Sequence, residues 1–489
     1  MSLQDLLHDA VPCAPTQMEV KTFQGIFKAR RHDNMTHQGV EDVHSPHAAA
    51  KEKLHGYKTF YLHDDGALNF EKEVACVAKH FNISNNPTGG AREQKRGHLN
   101  WDTGGSTLDV DYAEHLGEVD ILRDMRNHPM RSMDPMSAKI HILGFPALLA
   151  FLASSDDHVE PRANCKNSET AYRGCAPCLK SHTAIKEAGA EARRRVELYA
   201  HAAFVLVFTY WDTRVIKLFA SSFGNDHDRV FRATSDPFFV QGTSIDPLHT
   251  IIVPYRSNYE LDADLSQQTM QGRIRNKSSA FYFAGTFKRH DVHGGEGAFR
   301  GPTMQAMQHP GGVIINRAIS KTPLTETVAQ ETMLNFHRSA FCLAPTGDTA
   351  TSRRVFEALA AGCVPVSLGP VKDVVRALPF HHSVDWSKTM LFAGSMRCLT
   401  KDNGAQAKLL ATFLVKHHRN CKQRVGCRLD QMRRIGVEGY LHNLDYHQLG
   451  IVDALLREVS ARLRWKEASS YGGNLTEEQW HNWGQFARQ

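Results

Sequence analysis

Arg354 and Glu357 stand three residues apart, just beyond a loop from Pro345 to Ser352 that carries Gly347, Asp348 and several hydroxyls. At that spacing two side chains share one face of a helix. A guanidinium on such a face can meet a pyrophosphate, and a carboxylate one turn on can accept hydrogen bonds from vicinal ribose hydroxyls. Unpaired N–H groups and the helix dipole would add positive potential at the same place. The plainer alternative for the pair is a surface i,i+3 salt bridge beside an ordinary βαβ unit.

The elements that would position these groups are legible around them. Phe341-Cys342-Leu343 is a short apolar run ending at Pro345. Ser352 then takes the N-cap position of a helix that stops before Gly362, and Val364-Pro365-Val366 restarts a buried extended run. A loop feeding a helix N-terminus at a strand's carboxyl end is where open α/β sheets bind anionic ligands.

The same segment resembles the signature of the exostosin family of glycosyltransferases. The matching positions are Phe341, Cys342, Leu343, Pro345, Gly347, Asp348, Ser352, Arg354, Glu357, Ala358, Gly362, Cys363, Pro365 and Val366; Arg353 stands where many members have proline. Fainter similarities occur in the family's order at Tyr57–Leu62, Met133–Phe145, His201–Asp212, Thr250–Tyr255 and Phe281–Gly285. The resemblance covers about residues 57 to 400. It implies a GT-B fold: two Rossmann-like domains facing across a cleft, with a terminal helix packed back on the assembly.

It also implies an inverting, metal-independent transfer of sugar from a UDP-sugar to a polysaccharide or glycoprotein glycan, in the Golgi. The donor is then a substrate, and no cofactor is expected. Breaking the glycosidic C–O bond builds negative charge on the departing diphosphate, which a helix N-terminus, backbone N–H groups and a guanidinium can stabilise. Donor-binding candidates are Gly347, Asp348, Ser352, Arg354 and Glu357, with Gly285, Arg289 and Arg300 after the Phe281–Gly285 run. The acceptor's proton needs a base on the N-terminal domain. Where members often read His-Asp-Trp-Gly, this chain reads Thr209-Tyr210-Trp211-Asp212. Asp212 is therefore the candidate base, with Tyr210 and Trp211 on the acceptor side. Tyr210 in the usual acidic position also admits a second reading, a non-catalytic exostosin-like partner that stabilises an active homologue. A homo- or heterodimer with another such chain is compatible with either.

The rest of the chain bounds these readings. Its 489 residues suit two α/β domains plus extensions, and 42% hydrophobic with 22% charged residues is a globular composition. A net charge of +6 without a dense Lys/Arg block gives no nucleic-acid footprint. The 28 histidines are scattered, with no H-x-x-x-H, so no metal site is expected. No G-x-G-x-x-G follows a strand with an acidic residue about twenty positions on, which argues against a dinucleotide enzyme. The longest apolar run, Ile142 to Ala153, is 12 residues with Gly144 and Pro146 inside it, too short to cross a bilayer. The first 50 residues hold no stretch of signal or anchor type, so membrane attachment would need an anchor not seen in this sequence.

Three divisions follow. Residues 1–54 are polar and His-rich and read as a flexible tail. Residues 55–255 carry strand-like runs at 57–62, 139–145, 203–210 and 250–255, with surface insertions near 82–105 and 156–181. Residues 256–489 carry runs at 280–284, 313–316, 340–344 and 364–368, then an amphipathic helix through Leu449, Val452, Leu455, Leu456, Val459 and Leu463. Of the ten cysteines, Cys342 and Cys363 read as buried rather than paired. Cys165, Cys175 and Cys178 cluster in a polar stretch and Cys421 and Cys427 bracket a basic loop, a pattern suiting disulfides in an oxidising lumen. N-x-[ST] triplets at Asn34, Asn82, Asn276 and Asn474 permit that location.

Overall fold

The computed structural model describes residues 2–27, 59–69, 117–145, 181–207, 229–235, 249–256, 277–287, 295–317, 326–347, 349–424, 426–446 and 450–470. The expected insertion at 82–105, nearly all of that at 156–181, and Cys165, Cys175 and Cys178 lie outside the described residues.

Two five-stranded parallel sheets organise the chain. The first contains β1 (Phe60–His63), β2 (Ile140–Leu143), β3 (Ala203–Val207), β4 (Val230–Thr234) and β5 (Thr250–Ile252), side by side in chain order. The second contains β6 (Ser279–Gly285), β7 (Gly312–Asn316), β8 (Ser339–Pro345), β9 (Val364–Leu368) and β10 (Leu391–Phe392), ordered β10-β9-β8-β6-β7. Strands buried on both faces read as continuous apolar runs, and every residue of β2, β3, β8 and β9 is buried. All eight expected runs contain a strand. The sequence reading misses β4, whose apolar run is interrupted by Arg232, and β10, which is two residues long.

The terminal helix, Gly450–Ser470, buries Val452, Leu455, Leu456 and Val459 in a core shared by both units. That core takes Val119, Phe231 and Ile251 from the first and Phe356, Leu359 and Trp386 from the second. Two polar contacts fix the helix to the first unit: Arg462 Nη1 donates to the Thr250 carbonyl at 2.6 Å, and His128 Nε2 meets Asp453 at 3.1 Å. Mixed α/β layers, two parallel sheets and a helix packed back make the GT-B-like architecture that the resemblance implies.

The amino-terminal residues correct an expectation. Within the stretch read as a flexible tail, residues 2–27 form two helices, Leu3–Ala10 and Gln17–Phe27, packed on the second unit. Leu7 and Val20 are buried, and a disulfide joins Cys13 to Cys398. The apolar stripe is thin because glutamines occupy part of the buried face. The Gln4 amide donates to the Phe392 carbonyl and accepts from its N–H, both at 2.9 Å, so it pairs with edge strand β10 as a neighbouring strand would. Gln24 likewise donates to the Val384 carbonyl at 2.9 Å. The cysteine reading is corrected too. Cys342 and Cys363 are buried, each 1% exposed, but also paired, because adjacent β8 and β9 bring their Cα atoms to 5.9 Å. Cys421 and Cys427 form a disulfide, as their bracketing of a loop suggests.

Candidate donor-binding crevice

The connection from β6 runs to β7 at one edge of the second sheet, while β8 leads through β9 toward the other. Strand order therefore reverses between β6 and β8. A crevice opens outside the carboxyl ends of strands at such a switch point, and ligands bind there in open α/β sheets. The two strands that flank it end at Gly285 and Pro345. The segments singled out from the sequence are thus the two walls of one crevice.

On the β8 side the chain turns through Thr346–Ser352 into the helix Arg353–Ala360. The Thr346 N–H donates to the Leu368 carbonyl and the Gly347 N–H to the Thr349 carbonyl, each at 3.0 Å, which holds the turn. Ser352 is the N-cap residue, with extended φ −145° and ψ 160°. Its hydroxyl caps nothing, and its buried Oγ has no hydrogen-bond partner. The helix ends as expected before Gly362, which takes φ 63° while the Cys363 N–H reaches the Ala358 carbonyl at 2.8 Å. Only glycine adopts that left-handed closing conformation cheaply.

Arg354 crosses from this helix to the β6 wall. Its Nη2 donates to the Ala284 carbonyl at 3.1 Å, and its guanidinium carbon lies 5.5 Å from the Phe283 ring centroid. Arg300, 2% exposed on the helix Gly297–Ala306, brings a second guanidinium to 5.7 Å from the same ring. A Cβ placed on Gly285 would stand 2.9 Å from Arg354 Nη2. Arg300 and Arg354 therefore meet at the Phe283 ring, and Gly285 abuts Arg354 and the same ring. Two cations against one aromatic ring, one of them in the first turn of a helix, give β6 a positive carboxyl end.

Glu357 occupies a different place from the one its spacing suggests. It is 3% exposed, and its Oε1 lies 2.7 Å from Nε of Arg353, an i,i+4 pair, while Arg354 points to β6. The surface i,i+3 salt bridge does not form. Gly347 lies on the turn between β8 and the helix, whereas Asp348, Arg289, Tyr210, Trp211 and Asp212 fall outside the described residues.

Sequence reasoning misses the polar frame around the crevice. Tyr255, just past β5, donates its hydroxyl to Thr349 Oγ1 at 3.0 Å, and Thr349 in turn donates to the Thr351 carbonyl. Beside it, buried Arg256 pairs with Asp120 at 2.7 Å, and the Tyr446 hydroxyl donates to the Pro254 carbonyl at 2.6 Å. Burial raises the Tyr446 pKa well above the usual tyrosine value, so the phenol remains a donor. Glu296, the N-cap residue of the helix that carries Arg300, accepts from the Arg397 N–H at 3.2 Å. Burial raises its carboxyl pKa against the opposing pull of the Arg397 and Met396 N–H groups. The sequence signal for Tyr255 and Arg256 was their place directly after an apolar run, at a strand's carboxyl end.

Cys421, Cys427 and Asp430 are one group of metal-ligating types brought together among the described residues, and both sulfurs are joined in a disulfide. A surface hollow lined by Gln308, His309, Pro310, Gly312 and Ile314 sits at the amino end of β7, away from the crevice.

Residues 191–413 match the Exostosin GT47 domain, a span running from the helix before β3 to the Lys401–Lys422 helix. No curated protein matches the chain. The matched span includes the whole second sheet, both walls of the crevice and the loop between them, so the part of the chain that carries the candidate donor site is similar to the Exostosin GT47 domain.

Proposed function

We propose that the chain transfers sugar from a UDP-sugar, with inversion and without a metal, to a polysaccharide or glycoprotein glycan. The observation that carries this reading is the placement of Arg354 at the switch point, its guanidinium bridging to the Ala284 carbonyl beside Gly285. A departing diphosphate there would meet Arg354, Arg300 and the N–H groups at the start of the Arg353–Ala360 helix. Glu357, one turn inside, would hold ribose hydroxyls once Arg353 yields its Oε1.

Asp212, five residues after β3 in the sequence, is proposed as the base for the acceptor hydroxyl, with Trp211 as a flat surface for a sugar ring and Tyr210 on the acceptor side. Asp348 and Arg289 would complete the donor's surroundings. The Golgi lumen is the proposed location. No helix among the described residues is long and apolar enough to cross a membrane.

Calorimetric titration with UDP tests the donor site. The parent should bind, and Arg354→Ala should lose about 1.5–3 kcal/mol, the scale of a charge-assisted hydrogen bond. Glu357→Gln should lose less, since an amide oxygen still accepts. Parental affinity in both variants would remove the donor-site assignment. Tyr210 in the usual acidic position favours one second reading, a non-catalytic stabilising partner. Asp212→Asn separates the two in a UDP-sugar transfer assay with an acceptor array: a working base loses at least roughly a hundredfold in turnover, and a helix cap loses almost nothing.

A further inference from the structure

The structure assigns to Tyr255 a positioning role: a residue of the first unit that sets the shape of the donor loop of the second. This rests on the crevice being the donor site, and it adds a residue that the signature segment does not contain.

Tyr255 touches that segment twice. Its hydroxyl meets Thr349 Oγ1 at 3.0 Å, in the turn between β8 and the helix, and its ring lies 6.4 Å from that of Phe356 on the helix itself. The direction of the hydrogen bonds follows from the atoms. The Thr349 hydroxyl has one proton, which goes to the Thr351 carbonyl, so it must accept from the tyrosine. Tyr255, Thr349 and Thr351 are 4%, 8% and 3% exposed, so water does not substitute for a lost link. Thr351 closes the chain by donating to the Ala377 carbonyl at 3.4 Å. The next residue is the N-cap Ser352, followed by Arg354 two positions on.

The tyrosine is itself fixed from both sides. Pro254 accepts from Tyr446, and Arg256 is held by Asp120 in the first unit. A rigid post therefore stands on the first sheet's carboxyl edge and holds the turn that presents the helix N-terminus to the crevice. Without the post, the turn samples other shapes and donor affinity drops by the fraction of time the competent one is lost.

The test is UDP titration of the full chain, with melting temperature and hydrogen exchange measured on the same samples. Tyr255→Phe should weaken UDP binding roughly 5- to 10-fold and speed amide exchange within 346–352. Thr349→Val should do the same, the double variant should be no worse than either single, and Thr349→Ser should bind within about twofold of the parent. Tyr255→Phe binding like the parent, or losses that add in the double variant, overturns the proposal. Additive losses would also expose mere destabilisation if melting temperatures fall. A parent that binds no UDP overturns the underlying donor-site reading instead.

Discussion

Gly285→Ala places one methyl group at the carboxyl end of β6, against Arg354 and Phe283. No positive φ constrains Gly285, so the backbone accepts alanine and the effect is purely steric. The new Cβ would stand 2.9 Å from Arg354 Nη2 and 2.9 Å from Phe283 Cζ, closer than unstrained carbon contacts allow. Phe283 is a core ring, 1% exposed, whereas the guanidinium is the far end of a flexible side chain. The guanidinium therefore yields and gives up its 3.1 Å bond to the Ala284 carbonyl. Losing that bond costs about 1 kcal/mol of stability, near the low end for an overpacked site. Moving the charge off a bound diphosphate costs a further 1.5–3 kcal/mol of affinity, roughly 10- to 100-fold in Kd. Calorimetry with UDP reads the second quantity, and urea unfolding the first. The decisive comparison repeats the substitution in an Arg354→Ala background, where it should change affinity by less than about twofold because no guanidinium remains to displace, while the contact with Phe283 still shows in the urea midpoint. Equal losses in both backgrounds would refute the reasoning, as would parental affinity in Gly285→Ala alone.

Two other outcomes follow from buried charge. His63 and His141 are buried and bonded ring to ring at 2.9 Å, and burial depresses their pKa values to about 3 and about 4, with each ring also repelled by charge on a neighbouring histidine. The unfolded chain takes up these protons first, so the stability is complete above about pH 6.5 and is lost as pH falls toward the folded values. Each ring contributes about 1.4 kcal/mol per pH unit across that window. Urea midpoints measured between pH 7 and pH 5.5 should show a loss of about 2 kcal/mol or more, and a flat profile contradicts the neutral pair. Asp120→Ala should cost about 3–5 kcal/mol, because it leaves Arg256 charged and buried at the junction of the units; a loss below about 1 kcal/mol in chemical unfolding contradicts that junction.

Much of the second unit was legible from local sequence because β6, β8 and β9 are buried almost throughout and the signature helix is bounded by a serine and a glycine. Ser352 and Gly362 mark the start and stop of the signature helix, and the structure puts the N-cap residue, though not a hydroxyl cap bond, and the left-handed turn at those positions. Residue spacing predicted that Arg354 and Glu357 share a face, but tertiary partners decided their pairing. The Ala284 carbonyl, 70 residues away, outcompetes a neighbour on the same helix, and Arg353 takes the carboxylate. The amino-terminal helices escaped because Gln4 and Gln24 fill buried positions where a periodic reading looks for apolar residues. Their amides reach backbone carbonyls at Phe392 and Val384, more than 300 residues away. The same holds for Cys342 and Cys363, whose pairing depends on β8 lying beside β9. Tyr255 was visible only as the end of an apolar run, since its role depends on a threonine 94 residues further on.

The most direct test of the donor-site account is a structure of the full chain with UDP bound. The diphosphate should lie outside the carboxyl ends of β6 and β8, within hydrogen-bond distance of the Arg354 guanidinium and beside Gly285, with the ribose toward Glu357. UDP seated in the hollow around His309 and Pro310, or anywhere that leaves Arg354 on the Ala284 carbonyl and out of reach of phosphate, would contradict it.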